Sequence, residues 1–254
     1  MSEEIPEFAE PIACGSGPVG ILISHGFTST PHSVSEWAHA VADAGYRVRV
    51  PRLPGHGTNV AELNRTSWQD WYDAIEREYE TLRGECEEVF AGGLSLGGSL
   101  VLRLAEMHPD VRGLVLVNPA MVPTLVHRLA PLLQHMIPIL PSGVGSDIAM
   151  PDVKEYTYSH TPVRATVQLL KLWQDVRARL DLITCPVLMF RSTVDHVVPD
   201  IAKRTILAQI SSEDVVERLL PRSYHVATMD YDKQDIFDGT IKFLDEHRTV
   251  AAKA

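Results

Sequence analysis

Short apolar runs recur along the chain, separated by segments in which apolar residues return at helical spacing. Val19–Ser24 (Val-Gly-Ile-Leu-Ile-Ser) is continuously apolar, as expected of a central parallel strand buried on both faces. Tyr46–Val50, Val89–Ala91, Val111–Asn118, Pro186–Phe190 and Val215–Leu220 read as further strands, and Ile12–Cys14 as a short edge strand. Between them, helices are predicted from Pro31 to Ala44, from Ser67 to Gly84, from Leu100 up to the stop at Pro109, over Pro199–Ile210 and over Asp232–Glu246. Gly45 fits the position just past a helix end, and Ser67 with Asp70 has the spacing of a capping box. Trp68, Trp71, Ile75, Tyr79 and Leu82 fall on one helical face, most simply a core stripe. Strands alternating with helices predict an α/β fold: a mostly parallel central sheet with helices on both faces.

The alternation breaks down from Pro119 to about Leu180. This stretch is rich in Pro, Met, Leu and His, and is read as a cap inserted over the sheet. The expected division is a core formed by residues 1–118 and 181–254, with residues 119–180 as the cap of the same structural domain. The apolar half of the insertion is unsuited to span a bilayer, because Pro123, Pro131, Pro138, His127, Arg128 and His135 interrupt it. Leu129, Leu132, Leu133, Met136 and Ile137 are candidates for contact with lipid aggregates, for contact with another subunit, or for the lining of a substrate tunnel.

Composition narrows the class. The chain has 254 residues, 45% hydrophobic and 22% charged, as in an ordinary globular protein. A formal charge of −10 disfavours nucleic acid and anionic membrane surfaces, and favours a neutral or cationic substrate. Cys14, Cys86 and Cys185 form neither a paired framework nor a C-x-x-C motif, and the acidic start Met1-Ser2-Glu3-Glu4 has no apolar core. Both features predict a cytoplasmic location.

The chemistry is concentrated at Gly93-Leu94-Ser95-Leu96-Gly97, a G-x-S-x-G pattern between a predicted strand and a predicted helix. In that setting the pattern is a nucleophile elbow, with Ser95 in a strained turn and Gly93 and Gly97 clearing room for it. A serine hydroxyl needs a base, and the base needs an orienting carboxylate. His225 lies just past the last predicted strand, and Asp195 follows the strand that ends at Phe190. The order Ser95…Asp195…His225 is that of the α/β-hydrolase plan. Asp200 is a weaker candidate, since a helix has begun by then. His196 is read as a loop residue pointing elsewhere, His25 as a residue shaping its loop through hydrogen bonds, and Ser99 as a small packing residue. The N–H groups of Leu96 and Phe27 are the expected oxyanion donors.

Several segments together carry a family resemblance: Gly17-Pro18-Val19-Gly20, His25 to Ser33, Pro51-Arg52-Leu53-Pro54-Gly55-His56-Gly57-Thr58, Gly93 to Gly98, Asp195-His196-Val197-Val198-Pro199 and Ser223-Tyr224-His225-Val226-Ala227-Thr228. In these the chain resembles bacterial monoacylglycerol lipases and the related carboxylesterases of the α/β-hydrolase fold. The resemblance covers nearly the whole chain. It implies hydrolysis of carboxyl esters, a small cap over an apolar acyl tunnel, and no metal or organic cofactor. It also implies that Glu155, in Asp152-Val153-Lys154-Glu155, recognises the glycerol hydroxyls; otherwise Glu155 is a solvated surface charge. Ala120 to Ser142 departs from the resembling lipases in being bulkier and richer in leucine.

The expected function is hydrolysis of monoacylglycerols to glycerol and fatty acid through an acyl-enzyme on Ser95. The expected partner is a small lipid ester and not a nucleic acid, with transient contact with lipid aggregates through the cap, by a monomer or weak homodimer. A general short- or medium-chain carboxylesterase or a thioesterase is the alternative. A catalytically silent binding protein is a remoter one, because such proteins usually lose a member of the triad.

Overall fold

The computed structural model describes residues 6–123, 125–134, 136–137, 139–140 and 146–250. In chain order the core begins with β1 (Ile12–Cys14), β2 (Val19–Ser24), α1 (Ser35–Asp43), β3 (Arg47–Val50), α2 (Val60–Leu63), α3 (Trp68–Glu85), β4 (Glu88–Leu94), α4 (Leu96–Met107) and β5 (Leu114–Val117). Residues 119–180 then contribute α5 (Leu125–Leu133), a two-stranded antiparallel pair β6 (Ile139–Leu140) and β7 (Thr161–Pro162), and α6 (Val163–Arg177). The chain finishes with β8 (Val187–Ser192), α7 (Asp200–Gln209), β9 (Val215–Leu220) and α8 (Lys233–His247).

Among the described residues one sheet of seven strands runs β1-β3-β2-β4-β5-β8-β9. Only its edge strand β1 is antiparallel to its neighbour. Because strand side chains alternate between faces, the apolar runs feed two cores. Leu22, Val89, Ala91, Leu114, Leu116, Val187 and Met189 pack with α3, α4, α6 and α7. Ile21, Ile23, Phe90, Val115, Val117, Leu188 and Phe190 pack on the other face with α1 and α8. The aromatic stripe on α3 is core: Trp71, Ile75, Tyr79 and Leu82 are fully buried. Its start carries the expected capping box, the Ser67 and Asp70 side chains each accepting from the other residue's backbone N–H.

Boundaries differ from the pattern in instructive ways. Gly84 lies inside α3, which ends one residue later at Glu85 with Cys86 as its cap. The strand expected over Val111–Asn118 shortens to β5, while β4 extends through two glycines to Leu94, directly against Ser95. The short α2, capped by Asn59, has too few residues to show a period. No helix among the described residues is long and apolar enough to cross a membrane. Leu129, Leu132, Met136 and Ile137 are exposed, whereas Leu133 packs near Ala130, Val163 and Val167.

Candidate active site

The site begins with backbone geometry at the carboxyl end of β4. Ser95 has φ 55° and ψ −115°, a conformation that non-glycine residues rarely adopt. The turn closes so tightly that a Cβ on Gly93 would lie 2.3 Å from the Gly97 carbonyl carbon. A Cβ on Gly97 would lie 2.2 Å from the Ser24 carbonyl oxygen. Glycine at these positions is a steric requirement. The strain is held from neighbouring elements: Ser95 N–H donates to Val117 O at 3.0 Å, and Ala120 N–H donates to Ser95 O at 3.1 Å. Leu96 opens α4, so its N–H has no intrahelical acceptor.

Asp195 and His225 arrive from loops after β8 and β9 and meet. His225 Nδ1 lies 3.1 Å from Asp195 Oδ2, and their side chains are 7% and 3% exposed. The other carboxylate oxygen, Oδ1, accepts from Val197 N–H at 3.0 Å and Val198 N–H at 2.8 Å. Burial pushes the Asp195 carboxyl up, but His225, Lys203 and the Val198 N–H override it and hold it well below the usual carboxylate range. With Asp195 ionised, the proton of a neutral His225 sits on Nδ1 and Nε2 is left as an acceptor. Asp200 is elsewhere: it opens α7 and is bound by Arg191 and Arg204.

Ser95, His225, Phe27 and Glu155 share a cavity of about 340 Å³. Its wall includes apolar Leu94, Ala120, Val122, Leu169 and Trp173, and polar Thr28, Asp147, Thr157 and Thr166. Residues 119–180 supply the part of the wall that contains Glu155. This side chain accepts from Ser29 Oγ, and its own N–H donates to Ser146 Oγ at 3.0 Å. Burial raises the Glu155 carboxyl above its ordinary range, against the pull of the Ser29 hydrogen bond and of His225. Among the exposed apolar residues of the 119–180 stretch, Leu129, Leu132, Met136 and Ile137 are not part of this wall.

His25 shapes its loop as expected. Its Nε2 accepts from Leu53 N–H at 3.2 Å, Nδ1 faces Gly26 O at 2.9 Å, and burial holds the imidazole at about 4. Two other readings need correction. Ser99 is more than packing: its Oγ donates to Ala120 O and accepts from Trp173 Nε1 at 3.1 Å. His196 is the exposed loop residue expected, but it does not point away: it lines the cavity, and its Nδ1 lies 2.8 Å from Asp147 Oδ1.

Sequence reasoning missed the residues that hold the loops. Asn118, at the end of β5, donates from Nδ2 to Ser192 Oγ and to His225 O, both at 2.8 Å, and accepts from Ser192 N–H at 2.9 Å. Asp147 accepts from the N–H groups of His196 and His225, each at 3.2 Å. Asp230 is fully buried and accepts from the N–H groups of Ala149, Met150 and Tyr224. Only Asn118 carried a usable signal, a polar side chain at the carboxyl end of an apolar strand. Chemically, a serine hydroxyl that shares a cavity with an imidazole fixed by a buried carboxylate can be deprotonated during attack on a carbonyl carbon.

Comparison with known proteins agrees with this chemistry. The family described as serine aminopeptidase, S33, matches residues 19–232. A thermostable monoacylglycerol lipase of Bacillus sp. (strain H-257) is 43% identical over 250 residues, covering 97% of this chain and 99% of the relative. A carboxylesterase of Bacillus subtilis (strain 168) is 26% identical, covering 93% and 96%. Among solved structures, one reported with LipS and LipT, two metagenome-derived lipolytic enzymes, superposes with a TM-score of 0.93 at 35% identity. It covers 96% of this chain and 100% of its own. The chain belongs to the serine aminopeptidase, S33, hydrolase family, has the α/β-hydrolase fold, and is a serine ester hydrolase.

Proposed function

We propose that the enzyme hydrolyses monoacylglycerols to glycerol and fatty acid, with Ser95 as nucleophile, His225 as general base and acid, and Asp195 as the group that orients His225. The observation that carries this reading is one cavity holding Ser95, His225 and Glu155, with Glu155 supplied by the 119–180 insertion acting as a cap. Ser95 Oγ attacks the ester carbonyl while His225 Nε2 takes its proton. The developing oxyanion is met by the N–H groups of Leu96 and Phe27. His225 then protonates the departing glycerol oxygen, and water repeats the sequence on the acyl-enzyme. Glu155, bound to Ser29, offers a carboxyl group to the glycerol hydroxyls, and the apolar wall of Leu94, Val122, Leu169 and Trp173 receives the acyl chain. The monoacylglycerol lipase named among the relatives supports this substrate. The carboxylesterase named beside it supports the alternative of a general esterase.

Steady-state rates on glycerol monoesters, matched methyl esters and a triacylglycerol separate the two. Preference for the glycerol monoester is expected, with triacylglycerol left intact. Glu155→Gln should lower kcat/KM for the glycerol monoester about 10-fold, the loss of roughly one hydrogen bond to a charged group. It should spare the methyl ester. Equal rates on both ester series, or equal sensitivity to Glu155→Gln, would reduce the enzyme to a general carboxylesterase.

A further inference from the structure

On α7, Lys203 is only 2% exposed, although lysine is almost never buried without a partner. Its partner is Asp195. The ammonium lies 3.2 Å from Asp195 Oδ2, the same oxygen that holds His225 Nδ1 at 3.1 Å. Oδ1 is occupied by the Val197 and Val198 N–H groups, so Lys203 and His225 share one carboxylate oxygen. We propose that Lys203 is a positioning residue for hydrolysis: it fixes the Asp195 carboxylate and, by neutralising it, lowers the basicity of His225.

The argument is one of charge. A buried carboxylate facing an imidazole stabilises the imidazolium and makes the histidine more basic. A cation on the same oxygen cancels much of that field and repels the proton His225 would gain. Lysine suits this position because its point charge on an apolar stem reaches a buried site without a fixed fork of donors. Other charged groups approach His225 from elsewhere. Asp147 accepts the His225 N–H and pairs with His196, Glu155 interacts with His225 from the cap, and Asp200 is committed to Arg191 and Arg204. A substitution at Lys203 leaves all of these in place.

The proposal rests on the Ser95–His225–Asp195 reading, and the test keeps the two separable. The measurement is kcat/KM against pH on a soluble short-chain glycerol monoester, for the wild type and for Lys203→Met, Lys203→Gln and Lys203→Arg, with Tm recorded for each. The acid limb reports the base of the free enzyme. In Lys203→Met and Lys203→Gln it should move up by roughly 2 pH units, the effect of a unit charge no more than about 6 Å away at an effective dielectric of about 20. Lys203→Arg, which keeps the charge, should return it towards the wild-type position. Should Lys203→Met fail to fold, Lys203→Gln still removes the charge while leaving a hydrogen-bond donor. A lower Tm with an unmoved acid limb in the folded neutral variants would overturn the proposal and leave Lys203 a structural ion pair. Hydrolysis retained by Ser95→Ala would instead overturn the underlying triad reading.

Discussion

At the scale of single residues, the site depends as much on what holds its loops as on its reactive groups. Ser95→Ala removes the proposed nucleophile and should lower kcat by about 10⁵- to 10⁶-fold, as in serine hydrolases generally, with loss of fluorophosphonate labelling. Wild-type turnover in that variant would reject the assignment. Asn118 makes a subtler case. Its backbone sits at φ 43°, a region that asparagine tolerates better than most residues. Its side chain ties the end of β8 to the His225 loop through Ser192 and His225 O. Asn118→Ala would leave the Ser192 N–H buried without this acceptor, at a cost of about 1–3 kcal/mol. It would also free the loop that carries His225. Both Tm and kcat should fall, kcat by about 10-fold, an effect expected of a misplaced catalytic group. A fall in Tm with kcat intact would show that other contacts, such as those of Asp147, suffice to hold His225.

At the scale of elements, the strand–turn–helix unit at Ser95 is the least forgiving part of the chain. Gly97→Ala would place a methyl group 2.2 Å from the Ser24 carbonyl oxygen, which belongs to the backbone of β2 and cannot swing aside. The variant should fail to accumulate as folded protein, or fold without activity. By contrast, Ser67→Ala removes half of an exposed capping box on α3 and should cost about 1 kcal/mol, or roughly 2–4 °C in Tm, with activity unchanged. The contrast explains what was legible in the sequence. Central strands were visible because burial on both faces makes them continuously apolar. The elbow was visible because its glycines answer a steric demand, and α3 because eighteen residues give a period time to show. The two-residue strands β6 and β7 and the four-residue α2 have no period to read. Asp147, Lys203 and Asp230 act through contacts made only after folding, and a polar residue's partner is not written in its neighbours. Ser99 shows the same limit: beside Gly97 and Gly98 it looked like filler, yet it joins α4 to Ala120 and Trp173.

At the scale of the molecule, residues 119–180 meet the elements around them through an ion cluster between α4 and α6 as well as by apolar packing. Arg103 on α4 bridges Glu106, at 3.1 Å, and Asp175 on α6, at 3.2 Å, and Arg179 reaches the same Asp175 at 3.0 Å. The Glu106 side chain is fully buried, and its Oε1 has no hydrogen-bond donor among the described residues. Burial is the larger influence on this carboxyl and pushes it up to about 7, against the opposing pull of Arg103. A carboxyl whose value is higher in the folded state than in the unfolded chain binds its proton more tightly when folded. Its contribution to stability is full below the ordinary carboxylate range and is lost as pH rises towards about 7. Glu106→Gln keeps the shape and the neutral form at every pH. The variant should therefore match the wild type in Tm near pH 5 and exceed it near pH 8, the gap opening across that interval by a few degrees. Thermal unfolding of both proteins at closely spaced pH values measures this directly. A gap that stayed constant with pH would mean that Arg103, its neighbour one turn away on α4, keeps Glu106 ionised throughout.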